Sequence, residues 1–299
     1  MNEQYLMRSL MFVPAHNQHL LDSSLKRDAD VLLLDIEDSV PQMNKQQARD
    51  NIKAFAARLE TQGKLLFPRV NDRESGELLK DLYQLTIPGI TGFVYPKSTK
   101  EEDVYFVGKL LETIEYEKHM PVGTFKVIPL IETAGAAMNI ESICKACPNR
   151  VIAVAFGCED YVTSLHGQHD DEGQSIFFAR NMIVNGARAC GVLPIDTVHI
   201  KVHDLEDLER NLKLSKKLGF EGMLVLNPKE LPLVHQYFSP TEEEVVWAEE
   251  MVSLYEGAQR EGKGVALMNG KFVGPPMYGM AMNILNKKKL IDSKYSKPL

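Results

Sequence analysis

Eight short apolar runs, most of them separated by one helix-length amphipathic segment, constrain this chain more than any other feature. They are SLMFVP (9–14), VLLLDIE (31–37), LLFPRV (65–70), GFVYPK (92–97), KVIPLIE (126–132), VIAVAFG (151–157), TVHIKV (197–202) and GMLVLNP (222–228). Each has the length of a strand, and several are too uniformly apolar to keep one wet face, as expected of strands buried on both sides of a parallel sheet. Between them lie segments such as NKQQARDNIKAFAARLE (44–60) and EDLERNLKLSKKLG (206–219), whose apolar residues recur at helical spacing. This alternation, repeated eight times, predicts an α/β fold of the (β/α)8 TIM-barrel type. A doubly wound open sheet is the alternative. The count, and the lack of a GxGxxG after the first run, favour the barrel. The expected division is a barrel over residues 1–235 and a C-terminal helical extension over 236–299.

Polar residues gather where the apolar runs stop: Asp35, Glu37 and Asp38; Arg69 and Asn71; Lys97; Glu132; Asp160; Asn227. In a barrel these ends line one face, where active sites of the fold are built. Glu132 closes KVIPLIE and Asp160 follows VIAVAFG. Acids at the rims of two successive strands aim hard oxygen ligands at one point, which suits Mg²⁺. The Arg and Lys at neighbouring ends suit an anionic substrate.

The formal net charge of −7 gives no basic surface for nucleic acid or an anionic membrane. No apolar run approaches the roughly 20 residues of a membrane span, and no apolar stretch follows a basic start, so a cytoplasmic protein is expected. Four cysteines do not make a disulfide framework in a chain of 299 residues, and the Cys144–Cys147 pair lacks the second ligand pair of a zinc site, so both are read as structural.

Between the sixth and seventh runs, YVTSLHGQHDDEGQS (161–175) reads as a polar loop on the catalytic face, and its His166, His169, Asp170 and Asp171 as solvated surface. FFARNMIVNGARAC (177–190) reads as a helix. His199 is expected to be a satisfied interior or interface residue, and Lys97 to neutralise the acidic mouth. In the tail, Thr241 and Glu244 make a capping box for a helix over 241–262. A turn-rich ALMNGKFVGPP follows, then a Met-rich helix ending at Lys287–Lys289, whose methionines are expected to pack. A tail placed after a closed barrel needs a surface to bury it, so a homo-oligomer is expected.

Taken together, RSLMFVPAHN (8–17), ADVLLLDIEDSV (29–40), PRVN (68–71), YPK (95–97), PLIETAGA (129–136), FGCEDY (156–161), the region 177–196 and LGFEGMLVLNP (218–228) resemble the citrate lyase β-subunit family, within the HpcH/HpaI aldolase and malyl-CoA lyase group. The resemblance covers nearly the whole chain. It implies a Mg²⁺-dependent (β/α)8 lyase, usually a trimer or hexamer, that cleaves a 3-hydroxyacyl thioester into an acetyl unit and an oxo acid. By position it implies Glu132 and Asp160 as metal ligands, Arg69 as the clamp on a substrate carboxylate, and Glu37 and Asp38 as holders of metal-bound water. Ion pairing of Glu37 and Asp38 with Arg69 or Arg8 is an equal alternative.

The sequence departs from the family pattern at the thioester end. Where relatives commonly carry an Asp in a GxMVDxP-like turn, which serves the neighbouring subunit as acid or base, this chain reads GKFVGPP with Gly274 in that place. Asn227-Pro228 stands for the usual His-Pro, and Met223 for a common Lys. Three functions are therefore carried forward. The first is a citrate lyase β-like carbon–carbon lyase acting on an anionic hydroxy acid or its CoA thioester. The second is a pyruvate-type aldolase acting on a free 2-oxo acid, and the third a non-catalytic binder of metal and carboxylate.

Overall fold

Eight parallel strands hydrogen-bond in sequence order and close on themselves: β1 (Ser9–Pro14), β2 (Val31–Asp35), β3 (Leu65–Arg69), β4 (Gly92–Tyr95), β5 (Lys126–Ile131), β6 (Ala153–Phe156), β7 (Leu193–Asp196) and β8 (Gly222–Val225). The computed structural model describes residues 5–61, 63–170, 172–268 and 271–296. The first strand pairs with the last, Ser9 opposite Met223, and the fold is a (β/α)8 barrel.

The strands form where the apolar runs stand, because their side chains are sheltered on both faces; β2 and β6 are buried at every residue. The helices around them are α1 (Gln18–Ser24), α2 (Lys45–Ala56), α3 (Leu78–Leu85), α4 (Glu101–Glu117), α5 (Ala134–Met138), α6 (Ile140–Lys145), α7 (Cys158–Ser164), α8 (Gln174–Ala189) and α9 (Leu205–Leu218). Helix α2 buries Lys45, Ala48, Arg49, Ile52 and Phe55, the i, i+3, i+4, i+7 stripe of an amphipathic helix. Helix α9 starts at Asp204, whose carboxylate accepts from the Asp207 amide, and stops at Gly219 in the left-handed conformation, φ 101°. Away from the strand C-termini, a buried fork ties the start of β1 to the residue before β2: Arg8 Nε and Nη2 both donate to Asp30 at 2.9 Å.

Three sequence expectations need correction. The seventh strand is Leu193–Asp196, not 197–202. Gly191, φ 68°, ends the helix so abruptly that the strand begins at once, and Pro194 hides it in a run that does not look strand-like. Residues 197–202 already lie beyond the strand end. The segment 161–175 is not all loop, since α7 carries it to Ser164. In the tail, the turn-rich stretch contains an antiparallel pair, β9 (Ala266–Met268) and β10 (Lys271–Val273), and the last helix runs on past Lys289 to Ser296.

The described residues fall into two compact units, Met7–Val234 and the remainder. Helix α10 (Leu231–Phe238) straddles that boundary, and the second unit contains α11 (Glu242–Arg260) and α12 (Pro275–Ser296). The capping box of α11 is formed, with Thr241 and Glu244 each accepting the other's amide. Ala248, Met251, Val273 and Ala281 make its core, with Trp247, Met277, Ile284 and Leu285 packed against it. Of the Met-rich segment, Met277 packs here as expected, whereas Met280 is exposed.

Candidate active site

The register of the barrel places Asp35 directly opposite Arg69. From there Arg69 donates Nε to Asp35 Oδ1 at 2.6 Å and Nη2 to Asp35 Oδ2 at 2.9 Å. Phe12, from the strand on the far side of β2, lies under the guanidinium at 5.0 Å. The planar fork is thus occupied by a carboxylate of the chain itself. What Arg69 presents further is Nη1, 2.8 Å from Glu37 Oε2 and 3.4 Å from Asp38 Oδ2. Asp35 stays ionised: burial alone would raise its pKa, but its hydrogen bonds to Arg69 hold it below the ordinary value.

Two strands round the barrel from Arg69 stands Glu132, one residue past β5 and buried. Its Oε2 accepts the Lys97 amide at 2.8 Å. Its Cγ and Oε1 lie over Gly157, where a Cβ would come within 2.5 and 2.9 Å of them. Gly157 is therefore the residue that makes room for this carboxylate. Asp160 sits exposed in the first turn of α7. Burial lifts the Glu132 pKa to about 7, and the charges of Asp160 and Asp38 push the same way. Glu37 is also raised to about 7, chiefly by burial, with Asp38 and Glu132 adding to it and Arg69 opposing. Glu37 Oε2 is buried and, although near Arg69, has no aligned hydrogen-bond partner.

Lys97 answers part of this negative charge. Its ammonium reaches Asp72 at 2.7 Å and Glu37 at 3.3 Å, and those bonds hold its pKa above the ordinary value. Lys45, buried on α2, donates to the carbonyls of Ile36 and Glu37 at 2.7 and 2.9 Å and to Asn71 at 2.7 Å. It pins the chain where β2 turns out into the mouth.

Four carboxylates, Glu37, Asp38, Glu132 and Asp160, thus converge electrostatically on a mouth in which two of them are pushed toward neutrality. All the donors are hard oxygens, and Glu132 is pre-shaped by Gly157 and Lys97, so the residues fit Mg²⁺. Glu132 and Asp160 would hold it, with Glu37 and Asp38 within reach of its waters.

Five expected site residues, Glu37, Asp38, Arg69, Glu132 and Asp160, belong to this one electrostatic group. Asn71 is drawn away, donating to Asp81 Oδ2 from both its backbone and side chain. Asn227 caps the turn after β8 and binds the Val202 carbonyl. His199 is buried between Asp207 at 3.0 Å and Glu230 at 3.3 Å; burial opposes protonation, but the two carboxylates outweigh it and raise the pKa. His169 pairs with Glu159 at 3.1 Å. Asp171 lies outside the described residues. Lys45, Asp72 and Gly157 were not singled out from sequence. The one signal for Lys45 was a cation on the buried stripe of α2.

The sequence pattern of the HpcH/HpaI aldolase/citrate lyase family matches residues 8–228. The chain belongs to that family. It is 31 % identical over 297 residues to the citrate lyase subunit beta of Leuconostoc mesenteroides subsp. cremoris, covering 98 % of each chain. It is 28 % identical over 305 residues to the mitochondrial citramalyl-CoA lyase of Rattus norvegicus, covering 98 % of this chain and 89 % of that one. Among solved structures, the citrate lyase beta subunit of M. tuberculosis complexed with oxaloacetate and magnesium is 25 % identical, with a TM-score of 0.66 over 80 % of this chain and 100 % of that one. The family is one of carbon–carbon lyases. No helix among the described residues is long and apolar enough to cross a membrane.

Proposed function

We propose that this protein is a Mg²⁺-dependent carbon–carbon lyase of the citrate lyase β-like type, which cleaves an anionic hydroxy acid or its CoA thioester at the mouth of the barrel. The observation that carries this reading is the buried Glu132 carboxylate, seated over Gly157 and held by the Lys97 amide at 2.8 Å, in the field of Asp160, Asp38 and Arg69. Such a cluster is poised to trade protons for a divalent cation. The M. tuberculosis relative, described with oxaloacetate and magnesium, supports the same ligand class.

In this reading the residues take the following roles. Glu132 and Asp160 would hold Mg²⁺, which would supply Lewis acidity at an oxygen of the oxo acid. Arg69, its plane fixed by Asp35, offers Nη1 to the substrate carboxylate. Glu37, with a pKa near neutrality and a buried oxygen without an aligned donor, is suited to take the proton of a 3-hydroxyl. Asp38, exposed at the rim, orders water beside it. Lys97 and Lys45 keep these acids in place.

Gly274 favours a second reading for the substrate, a free 2-oxo or hydroxy acid in place of a thioester, because no carboxylate stands in the turn before α12. We further propose a homo-oligomer, a trimer or hexamer, in which the C-terminal unit covers a neighbouring barrel; Leu267, Phe272 and Met280 in that unit are exposed and apolar.

The test is turnover with Mg²⁺ of malyl-, citramalyl- and citryl-CoA against free 4-hydroxy-2-oxo acids, read as oxo-acid release. Turnover that chelation abolishes and Mg²⁺ restores supports the lyase reading. Absence of metal-dependent cleavage across the whole panel would sink it.

A further inference from the structure

The first turn of α7, beside the candidate Mg²⁺ site, and the loop that follows α7 bring together a second set of donors of a different chemical class. Cys158 Sγ, a Glu159 carboxylate oxygen and a His169 ring nitrogen lie within 4.8 Å of one another. His169 Nε2 is 3.1 Å from Glu159 Oε1, and Cys158 Sγ is 3.9 Å from the same oxygen. These separations are close to the edges of a tetrahedron around a metal with bonds of about 2.0–2.3 Å. Cys158 is buried, whereas the His169 side chain is 33 % exposed and Glu159 is exposed, so the set has a sulfur floor and an open side. Cys158 and His169 also line a cavity of about 240 Å³ between α8 and α9, which provides a path to the sulfur.

We propose that Cys158, Glu159 and His169 form a second metal site, selective for a thiophilic divalent ion of the Zn²⁺ class and distinct from the hard-oxygen site at Glu132 and Asp160. The donor chemistry sets the selectivity. Mg²⁺ takes oxygen ligands and does not displace a thiol proton, whereas Zn²⁺ or Co²⁺ does. On binding, the metal–sulfur bond forms, the Cys158 S–H bond breaks, and the proton leaves to solvent; neither metal nor sulfur changes oxidation state. Three protein ligands leave a fourth position for water. His169 comes from the loop after α7, so an occupied site ties that loop to the helix turn bearing Asp160.

The test is titration of the metal-free full chain with Co²⁺ in excess Mg²⁺, following the near-ultraviolet sulfur-to-cobalt charge-transfer absorption. We expect one Co²⁺ per chain with that band, its bleaching by Zn²⁺, and its persistence in Glu132→Gln, which disables only the hard-oxygen site. Cys158→Ser should abolish the band, and His169→Ala, on an exposed loop, should weaken Co²⁺ binding about tenfold or more. No band in the wild type, the same band in Cys158→Ser arising from another cysteine, or unchanged affinity in His169→Ala would each overturn the proposal.

Discussion

The main-chain amide of Lys97 donates to Glu132 Oε2 at 2.8 Å, and Lys97 adopts a left-handed backbone, φ 52°, where it does so. A side chain with a Cβ costs roughly 1–2 kcal/mol in that conformation. The same residue turns its half-exposed ammonium back to Asp72 and Glu37. One residue therefore grips Glu132 from the backbone and the opposite acids from its side chain, and holds the two sides of the mouth at a fixed spacing.

Glu132 should make the apo protein pH-sensitive in an unusual direction. Its folded pKa, about 7, lies above the ordinary 4.5, so the folded state holds a proton that the unfolded chain has already lost. This group's contribution to apo stability is therefore most favourable below about 4.5 and declines as pH rises through 7. Mg²⁺ competes with that proton, so the rise in melting temperature on adding Mg²⁺ should be larger at pH 8 than at pH 5.5. Glu132→Gln should remove the Mg²⁺ shift and weaken the decline, leaving the part that Glu37 contributes. Scanning calorimetry at the two pH values decides it; an equal Mg²⁺ shift at both counts against the assignment.

Gly157→Ala should damage metal binding more than it damages the fold. The added Cβ would sit 2.5 Å from Glu132 Cγ, inside any tolerated contact, so the carboxylate must move. Overpacking of this kind costs about 1–3 kcal/mol. Mg²⁺ affinity, measured by titration calorimetry, should fall at least about tenfold. A variant that binds Mg²⁺ as tightly as the parent would show that Glu132 is not a ligand in this position.

For Arg69, replacement by Lys separates charge from geometry. Lys keeps the cation but cannot bind Asp35 through two nitrogens while offering a third to substrate. Affinity for oxaloacetate or pyruvate in the presence of Mg²⁺ should fall by about 1.5–3 kcal/mol, the range for a hydrogen bond to a charged group. Unchanged affinity would remove Arg69 from the substrate site.

Gly274→Asp probes the thioester chemistry. The carbonyl of Gly274 accepts the amides of Met277 and Tyr278, its φ is not left-handed, and an added Cβ would meet only Pro276 Cδ at 3.9 Å. An Asp is sterically free there, and stability should change by less than about 0.5 kcal/mol. We expect weak turnover of malyl- and citryl-CoA by the parent, and a gain of up to about 10²–10⁴ on restoring a positioned acid. Robust parental turnover of either thioester would show that Gly274 is no impediment.

Much of the barrel was legible because strands sheltered on both faces leave uninterrupted apolar runs, and seven of the eight were found where they stand. The seventh was displaced because Pro194 breaks the apolar signature while TVHIKV, which alternates like a strand, lies beyond the strand end. The rim position of Glu132 could be read from sequence, since an acid terminating an apolar run has nowhere else to go, whereas Asp160 stands four residues past β6 in the first turn of α7. The partners of the site were harder. Lys45 reaches Asn71 across 26 positions of sequence, and Asp72 meets Lys97 across 25. Such contacts exist only once neighbouring strands have brought the loops side by side. Nor does sequence alone show that the Arg69 fork is occupied by Asp35, because that depends on which residues face each other across β2 and β3.

That pairing bears on how the barrel closes. If β2 slipped by one residue against β3, every side chain of β2 would change faces. Arg69 would then be buried with no carboxylate opposite it, at a cost of about 3–5 kcal/mol for an uncompensated charge. The Asp35–Arg69 pair therefore acts as a proofreader of strand alignment: a misaligned barrel is penalised at its own mouth, and a chain that escapes the penalty has already aligned the side chains around its candidate site.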